Sequence, residues 1–406
     1  LVGSEMCIRD RTVSDLRLQA SGSPADMAVQ LGAQAAQGPW SAALQTQGRA
    51  QALWPLPAIG AAPARVQIES LTLRASDARR PDRVTDWTLR NAQPLRLDLL
   101  NTATGLALQA AAGQLQLLPQ PRSAGRDAAA TPLAPLTLGW DQLAWQGGTL
   151  QTRGRLSGLP LSWGDTLGRA EGATAGPLTQ AGLSGDLVLD GDWDLFLPLQ
   201  AGGEAPRLNA QLQRRSGDLV LADSGEASTA APGAARNLPA GLREASLVLS
   251  TQGRELKARL RWNSERLGQV SADLNSQLAT DTRGDGSLLD RWWPAAAPLS
   301  GSVTARLPQV GVWSALAPPG WRMRGTLQAN ATVGGTRGKP DWRGTLEADQ
   351  LALRSVVDGF EFSNGLLRAN LSGEHIAIDR FELRGPLGGT LSATGQARWL
   401  LVDGLR

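Results

Sequence analysis

In the last third of the chain apolar and polar residues alternate one by one, and each alternating run opens on a glycine. The runs read Gly301-Ser-Val-Thr-Ala305, Gly325-Thr-Leu-Gln-Ala329, Gly344-Thr-Leu-Glu-Ala348, Gly365-Leu-Leu-Arg-Ala369 and Gly389-Thr-Leu-Ser-Ala393. Strand side chains point to opposite faces in turn, so Leu327, Ala329, Ala331 and Val333 share one face and Thr326, Gln328, Asn330 and Thr332 the other. A strand apolar on one side and wet on the other belongs to an antiparallel sheet. From Gly325 the phrase returns after 19, 21 and 24 residues, a drift that fits hairpins of unequal length better than a strict β-helix.

The same period marks strand candidates at 66–75, 95–100, 113–118, 136–146, 147–156, 185–199, 207–213, 217–222, 245–251 and 255–263. Segments 119–135 and 222–240, rich in Pro, Ala, Gly and Ser without a period, predict long loops, and 55–63, with Pro55, Pro57 and Pro63, a shorter one. Helical pieces are expected at 287–293 and 310–316, each with apolar residues at i, i+3 and i+4 and each stopped by proline. The predicted fold is all-β: an elongated, curled antiparallel β-sheet, a taco-like trough with an apolar lining and few short helices. At about 12 residues per strand the chain supplies roughly 30 strands, which at about 4.8 Å each reach on the order of 140 Å. By texture the chain divides into 1–10, 11–300 and 301–406. The first resembles a translated adapter remnant, the second is an irregular β-sheet with the long loops, and the third is a regular repeat truncated at the C-terminus.

The best-defined strands nominate an apolar lining. It comprises Leu327, Ala329, Ala331 and Val333, then Leu346 and Ala348, Leu367, Ala369 and Leu371, Ile376 and Ile378, Phe381 and Leu383, and finally Leu391 and Ala393. A closed core beneath the sheet satisfies the same alternation. The many alanines favour an open lining, because a packed core of this size draws more on Ile and Phe. Between Ala348 and Leu351 the alternation slips by one, which demands a bulge or a bend. An uncovered strip of this length exceeds the few hundred Å² of apolar surface that soluble proteins expose, so it has to hold something. Acyl chains suit it, each buried methylene contributing about 0.8 kcal/mol without any polar contact.

Composition narrows the chemistry. The 406 residues include 47 Gly, 24 Pro, 14 Trp, 4 Phe and no Tyr, and the 40 basic and 37 acidic residues are scattered, leaving a formal charge of +3. No basic block with interleaved aromatics is present, which argues against nucleic acid. The bias to Arg, with Lys only at Lys257 and Lys339, reads as genome composition. The single cysteine, Cys7, lies in the 1–10 segment, so the remainder offers no disulfide or thiolate site. No apolar run approaches the roughly 20 residues of a spanning helix.

Catalytic constellations are poor. The only histidine, His375, falls on the polar face of Glu374-His-Ile-Ala-Ile378, where a solvated strand position is the simpler reading. Asp190, Asp192 and Asp194 alternate onto one face and could attract a cation, but they lack the Gly and Glu of a calcium loop, and a solvated turn is favoured. An enzyme is not expected, nor a metal or other cofactor.

The runs Trp342-Arg-Gly-Thr-Leu-Glu-Ala348 and Phe381-Glu-Leu-Arg-Gly-Pro-Leu-Gly-Gly-Thr-Leu-Ser-Ala-Thr-Gly395, with Leu351-Ala-Leu353 and the segments 313–329, 333–340 and 365–373, resemble the TamB family of translocation and assembly module subunits, within the AsmA-like group. The resemblance is close over 301–400. Over 11–300 it is looser, carried by pattern and by pieces such as Leu138-Gly-Trp140. It implies a periplasmic β-trough that conveys phospholipid between inner and outer membranes, its groove holding phospholipid acyl chains. It also implies an inner-membrane anchor and a TamA-like outer-membrane barrel as partner, neither placed on any residue here. Two other functions remain open: assembly of outer-membrane and secreted β-proteins by templating strands at a sheet edge, and a β-solenoid adhesin.

Overall fold

The computed structural model describes residues 6–8, 11–23, 25–37, 40–53, 55–77, 86–120, 135–164, 177–180, 183–199, 204–222, 237–279, 288–310, 321–355 and 359–398. The protein is all-β: the described residues form 25 strands with only short helical turns, and every registered pairing is antiparallel. The chain forms two compact units, residues 1–159 with 190–200, and 160–189 with 201–406.

The first unit begins as a meander of β1 (Met6–Ile8), β2 (Arg11–Ser23), β3 (Asp26–Gln37), β4 (Trp40–Gln51) and β5 (Ala64–Asp77). Part of the segment that resembles an adapter remnant is paired: Met6–Ile8 lies against Arg11 to Val13. Beyond β5 the sheet carries a line of breaks. β6 (Asp86–Asn91) pairs with one end of β5 and β7 (Leu95–Thr102) with the other. β9 (Gly113–Gln120) and β8 (Gly105–Ala110) continue the two halves. β10 (Leu136–Gln146) spans both, with a register shift between Trp140 and Gln142, and pairs on its far side with β11 (Thr149–Pro160).

Side chains stand in for peptide groups along this line. Asn91 Oδ1 accepts from the Leu71 amide at 2.8 Å, and its Nδ2 donates to the carbonyls of Glu69 at 3.1 Å and Gln93 at 2.9 Å. The Trp140 indole donates to Ala111 O at 2.9 Å, and its ring occupies the space a Cβ on Gly113 would need. β13 (Val188–Pro198) lies beside β11, where Trp193 donates to Thr152 Oγ1 at 3.2 Å and fills the space over Gly154 in the same way. Glycine is required at these two positions because an aromatic ring uses the vacancy.

The second unit holds one small sheet and one long ladder. β12 (Leu183–Gly185), β15 (Leu219–Ala222) and β16 (Asn237–Pro239) form the small sheet. The ladder runs through β14 (Arg207–Ser216), β17 (Leu242–Gln252), β18 (Glu255–Ser264), β19 (Gly268–Gln277), β20 (Leu299–Leu307), β21 (Trp321–Thr336), β22 (Lys339–Ser355), β23 (Phe360–Gly373), β24 (His375–Arg384) and β25 (Thr390–Arg398). The change of texture near residue 300 lies inside this ladder, where β19 pairs with β20. A conventional core forms where the small sheet meets the start of the ladder: Leu187, Leu219, Ala240, Leu242 and Leu267 are buried together, with Ala245 and Trp262 packed against them. Asp218 staples this junction, its carboxylate accepting from the amides of Leu219, Gly241 and Leu242 at 2.8 to 2.9 Å.

Several sequence boundaries shift. Pro119 and Gln120, expected in a loop, finish β9, and Ala222 and Asn237–Pro239 are strands of the small sheet. Residues 121–134 and 223–236, which hold most of the two predicted loops, lie outside the described residues. The strand expected at 185–199 is β13, over 188–198; Gly185 ends β12, and Leu187 between the two lies in the core. The helical piece at 287–293 appears as Leu288–Trp292, and all of 310–316 but Val310 lies outside the described residues.

Candidate functional site

Residues directly opposite in an antiparallel ladder share a face, so the register of the second unit can be followed as rows crossing the strands. One row starts at Leu212 and passes through Leu247, Leu260, Ala272, Val303, Ala331, Gly344, Leu371 and Ile376 to Ala397. The next passes from Ala245 through Trp262, Val270, Ala305, Ala329, Leu346, Ala369 and Ile378 to Gly395. A third joins Leu307, Leu327, Ala348, Leu367, Phe381 and Ala393. Val333 faces Gly301 and Trp342, and Leu383 faces Leu391. All fifteen lining candidates therefore lie on one continuous face.

Bulges keep that face in phase along long strands. Gln350 takes a positive φ of 54° where β22 shifts register between Asp349 and Leu351, so Leu351 returns to the side of Ala348. This is the slip the sequence required. Ile378 and Phe381, three apart in sequence, share the face because the register also shifts between them. Gly325, with φ of 131°, supplies the matching bulge in β21. Gly365 serves by vacancy: a Cβ there would overlap Leu383 Cδ2 and lie 2.8 Å from Leu351 Cβ. The recurrent glycine thus serves either as a left-handed bulge, at Gly325, or as a vacancy that a neighbouring side chain (at Gly365) or a carbonyl of the adjacent strand (at Gly301 and Gly344) occupies. At Gly389 neither applies, and the space is open.

Of the fifteen, Val333, Ala348, Ala369 and Leu383 are buried, nine are half-buried, and Leu391 and Ala393 are exposed. The core of the small sheet covers the Ala245–Trp262 corner. At the opposite strand ends Trp293 donates to Ser276 Oγ at 2.7 Å, and Arg337 lies 5.4 Å over the Trp293 ring while pairing with Asp290 at 2.6 Å. Between these two rims the face stays accessible, with Leu247 and Leu260 each 37% exposed. Sequence reasoning missed the part of the face on β17 to β19, although Leu256, Ala258, Leu260 and Trp262 alternate as cleanly as the later repeats.

The opposite face is polar and cross-linked. Arg259 and Arg261 bind Asp273 at 3.0 and 2.8 Å, Arg368 binds Asp349 at 2.7 Å, and Arg398 binds Glu374 at 2.9 Å. Burial pushes the Asp273 carboxyl up, but the hydrogen bonds and charges of the two arginines outweigh it and hold it below the ordinary carboxylate range. Arg380 does the same for Glu382 by a hydrogen bond at 2.8 Å. A depression of about 390 Å³ on this side is lined by Arg261, Ser271, Thr304 and Asn330.

His375 is exposed at the start of β24, opposite Ser372 and Arg398. The aspartate trio lies on strand β13 rather than in a turn, and two members are already engaged: Asp194 with Arg153 at 2.6 Å and Asp190 with the Gly158 amide at 2.8 Å. Among the described residues no group of three or more His, Cys, Asp or Glu is placed to hold a metal ion, and no helix is long and apolar enough to cross a membrane.

The class these features define is an antiparallel sheet protein with one continuous, partly open apolar face. Comparison with protein-family models, curated proteins and solved structures finds no match to the chain.

Proposed function

We propose that the apolar face of the second unit is a hydrocarbon-binding surface, and that the protein is a non-enzymatic phospholipid conduit of the TamB type, working in the periplasm between two membranes. The observation that carries this reading is the set of neighbouring apolar rows, the longest crossing ten strands, left only partly covered. Leu and Ala dominate it, so it offers area without directional contacts. At about 0.8 kcal/mol per buried methylene, an acyl chain gains affinity from length alone and can slide between equivalent rows. In this reading the unseen anchor meets the inner membrane and a TamA-like barrel receives the lipid.

Benzophenone side chains introduced one at a time at Leu327, Leu346 and Leu367, with Thr345 and Glu347 as opposite-face controls, test the proposal in Gram-negative cells. Lipid adducts confined to the first three are expected. Adducts at neither set, with the protein folded, would remove the conduit reading. A second reading, templating of client strands, is favoured by β25, whose nine residues are all exposed and which among the described residues pairs only with β24. Polypeptide adducts from Ser392 would support it.

A further inference from the structure

The rows end unevenly, and one corner joins the two faces. β20 stops at Leu307 and Pro308, while β21 extends past Leu327 to Trp321. The corner left between them is a cavity of about 470 Å³ lined by Leu307, Pro308 and Leu327 together with Gln269, Arg306 and Gln328. Leu307 and Leu327 are partners at the end of the third apolar row. Gln269, Arg306 and Gln328 are partners in a row on the other face. Beyond the last paired residues of a strand, side chains of both rows can reach one cavity.

Arg306 differs from its neighbours in charge pairing. Arg243, on the same rim, is engaged by Glu265, and Arg259, Arg261, Arg368 and Arg380 each have a carboxylate. Arg306 makes no ion pair or side-chain hydrogen bond among the described residues, and two amide side chains flank it in register. An apolar floor beside an unneutralised guanidinium fits an amphiphile with an anionic head.

We infer that this corner is a headgroup site for an anionic phospholipid: the phosphate is held by Arg306 with Gln269 and Gln328, and the acyl chains pass over Leu307 and Leu327 onto the apolar face. The inference rests on the hydrocarbon-binding reading and deepens it, since it sets the ligand's charge, polarity and orientation. A guanidinium can donate two parallel hydrogen bonds to a phosphate, which a lysine ammonium cannot.

The test measures capture of fluorescent phosphatidylglycerol and of diacylglycerol with the same chains, from vesicles, by the purified full chain. Arg306→Gln is expected to lower the preference for phosphatidylglycerol about tenfold, the scale of one charge-assisted interaction, and Arg306→Lys to recover part of it. Arg380→Gln, on the polar face and away from the corner, should match the unaltered protein. If Arg306→Gln keeps the full preference while Leu346→Asp abolishes capture of both lipids, the headgroup site is overturned and the apolar face stands. If the unaltered protein captures neither lipid, both fall. Displacement of phosphatidylglycerol by glycerophosphate at equal concentration would overturn the lipid assignment in favour of a free phosphate ligand.

Discussion

Gly365 offers a quantitative check on why glycine heads the repeat. Its φ is not positive, so alanine carries no backbone strain there. The obstacle is steric: a Cβ would overlap Leu383 Cδ2 and stand 2.8 and 2.9 Å from Leu351 Cβ and O. Overpacking of this kind costs about 1–3 kcal/mol, offset by up to about 1 kcal/mol from the lower backbone entropy of alanine in the unfolded chain. Leu383→Ala, at a side chain only 1% exposed, should cost about 2–4 kcal/mol as a large-to-small core change. In the double variant the clash with Cδ2 disappears and the new methyl occupies part of the vacated space. The two changes together should therefore cost at least about 1 kcal/mol less than their sum, the coupling expected of residues in contact. Hydrogen exchange of the β23 and β24 amides reads these local opening energies without assuming two-state unfolding of the chain. Additivity within about 0.3 kcal/mol would refute the reasoning and leave the glycine without this explanation.

Three further outcomes follow from individual residues. Asn91→Ala should raise exchange at the Leu71 amide up to about tenfold, because a half-buried donor loses its acceptor at a cost of about 1 kcal/mol; an unchanged rate would show that the break is held by other contacts. Gln350→Gly should raise the thermal midpoint, since a left-handed φ costs a non-glycine residue about 1–2 kcal/mol, while Gln350→Val should lower it; a lower midpoint for glycine would contradict the bulge account. Asp273 has a carboxyl held below its unfolded value by Arg259 and Arg261 against the effect of burial. Its contribution is therefore fully present above the unfolded range near pH 4 and lost as pH falls through the lower folded value. Asp273→Asn should flatten the acid limb of a urea-midpoint profile, and an unchanged limb would mean the pair adds nothing.

The alternation of single residues announced the strands, their antiparallel arrangement and the face each side chain takes, because a two-residue period is a property of the backbone alone. It also announced an irregularity after Ala348, since Leu351 falls out of step with the apolar side, and the register shift at Gln350 made it a bulge. It did not announce Asn91 or Trp140, whose polar groups repair breaks made by strands far away in the chain, nor Trp193, whose ring fills the space over Gly154, nor the small sheet, whose strands β12, β15 and β16 come from three separated segments.

From the sequence alone came an all-β chain with one apolar side, and fifteen residues that share it. Only the tertiary structure decided that their rows join across ten strands, that a core closes one corner, and that Arg306 stands unneutralised beside Leu307 and Leu327. Alternation is local and survives any pairing of the strands, whereas register, coverage and the meeting of two faces at a strand end depend on which strand lies beside which and where each one stops.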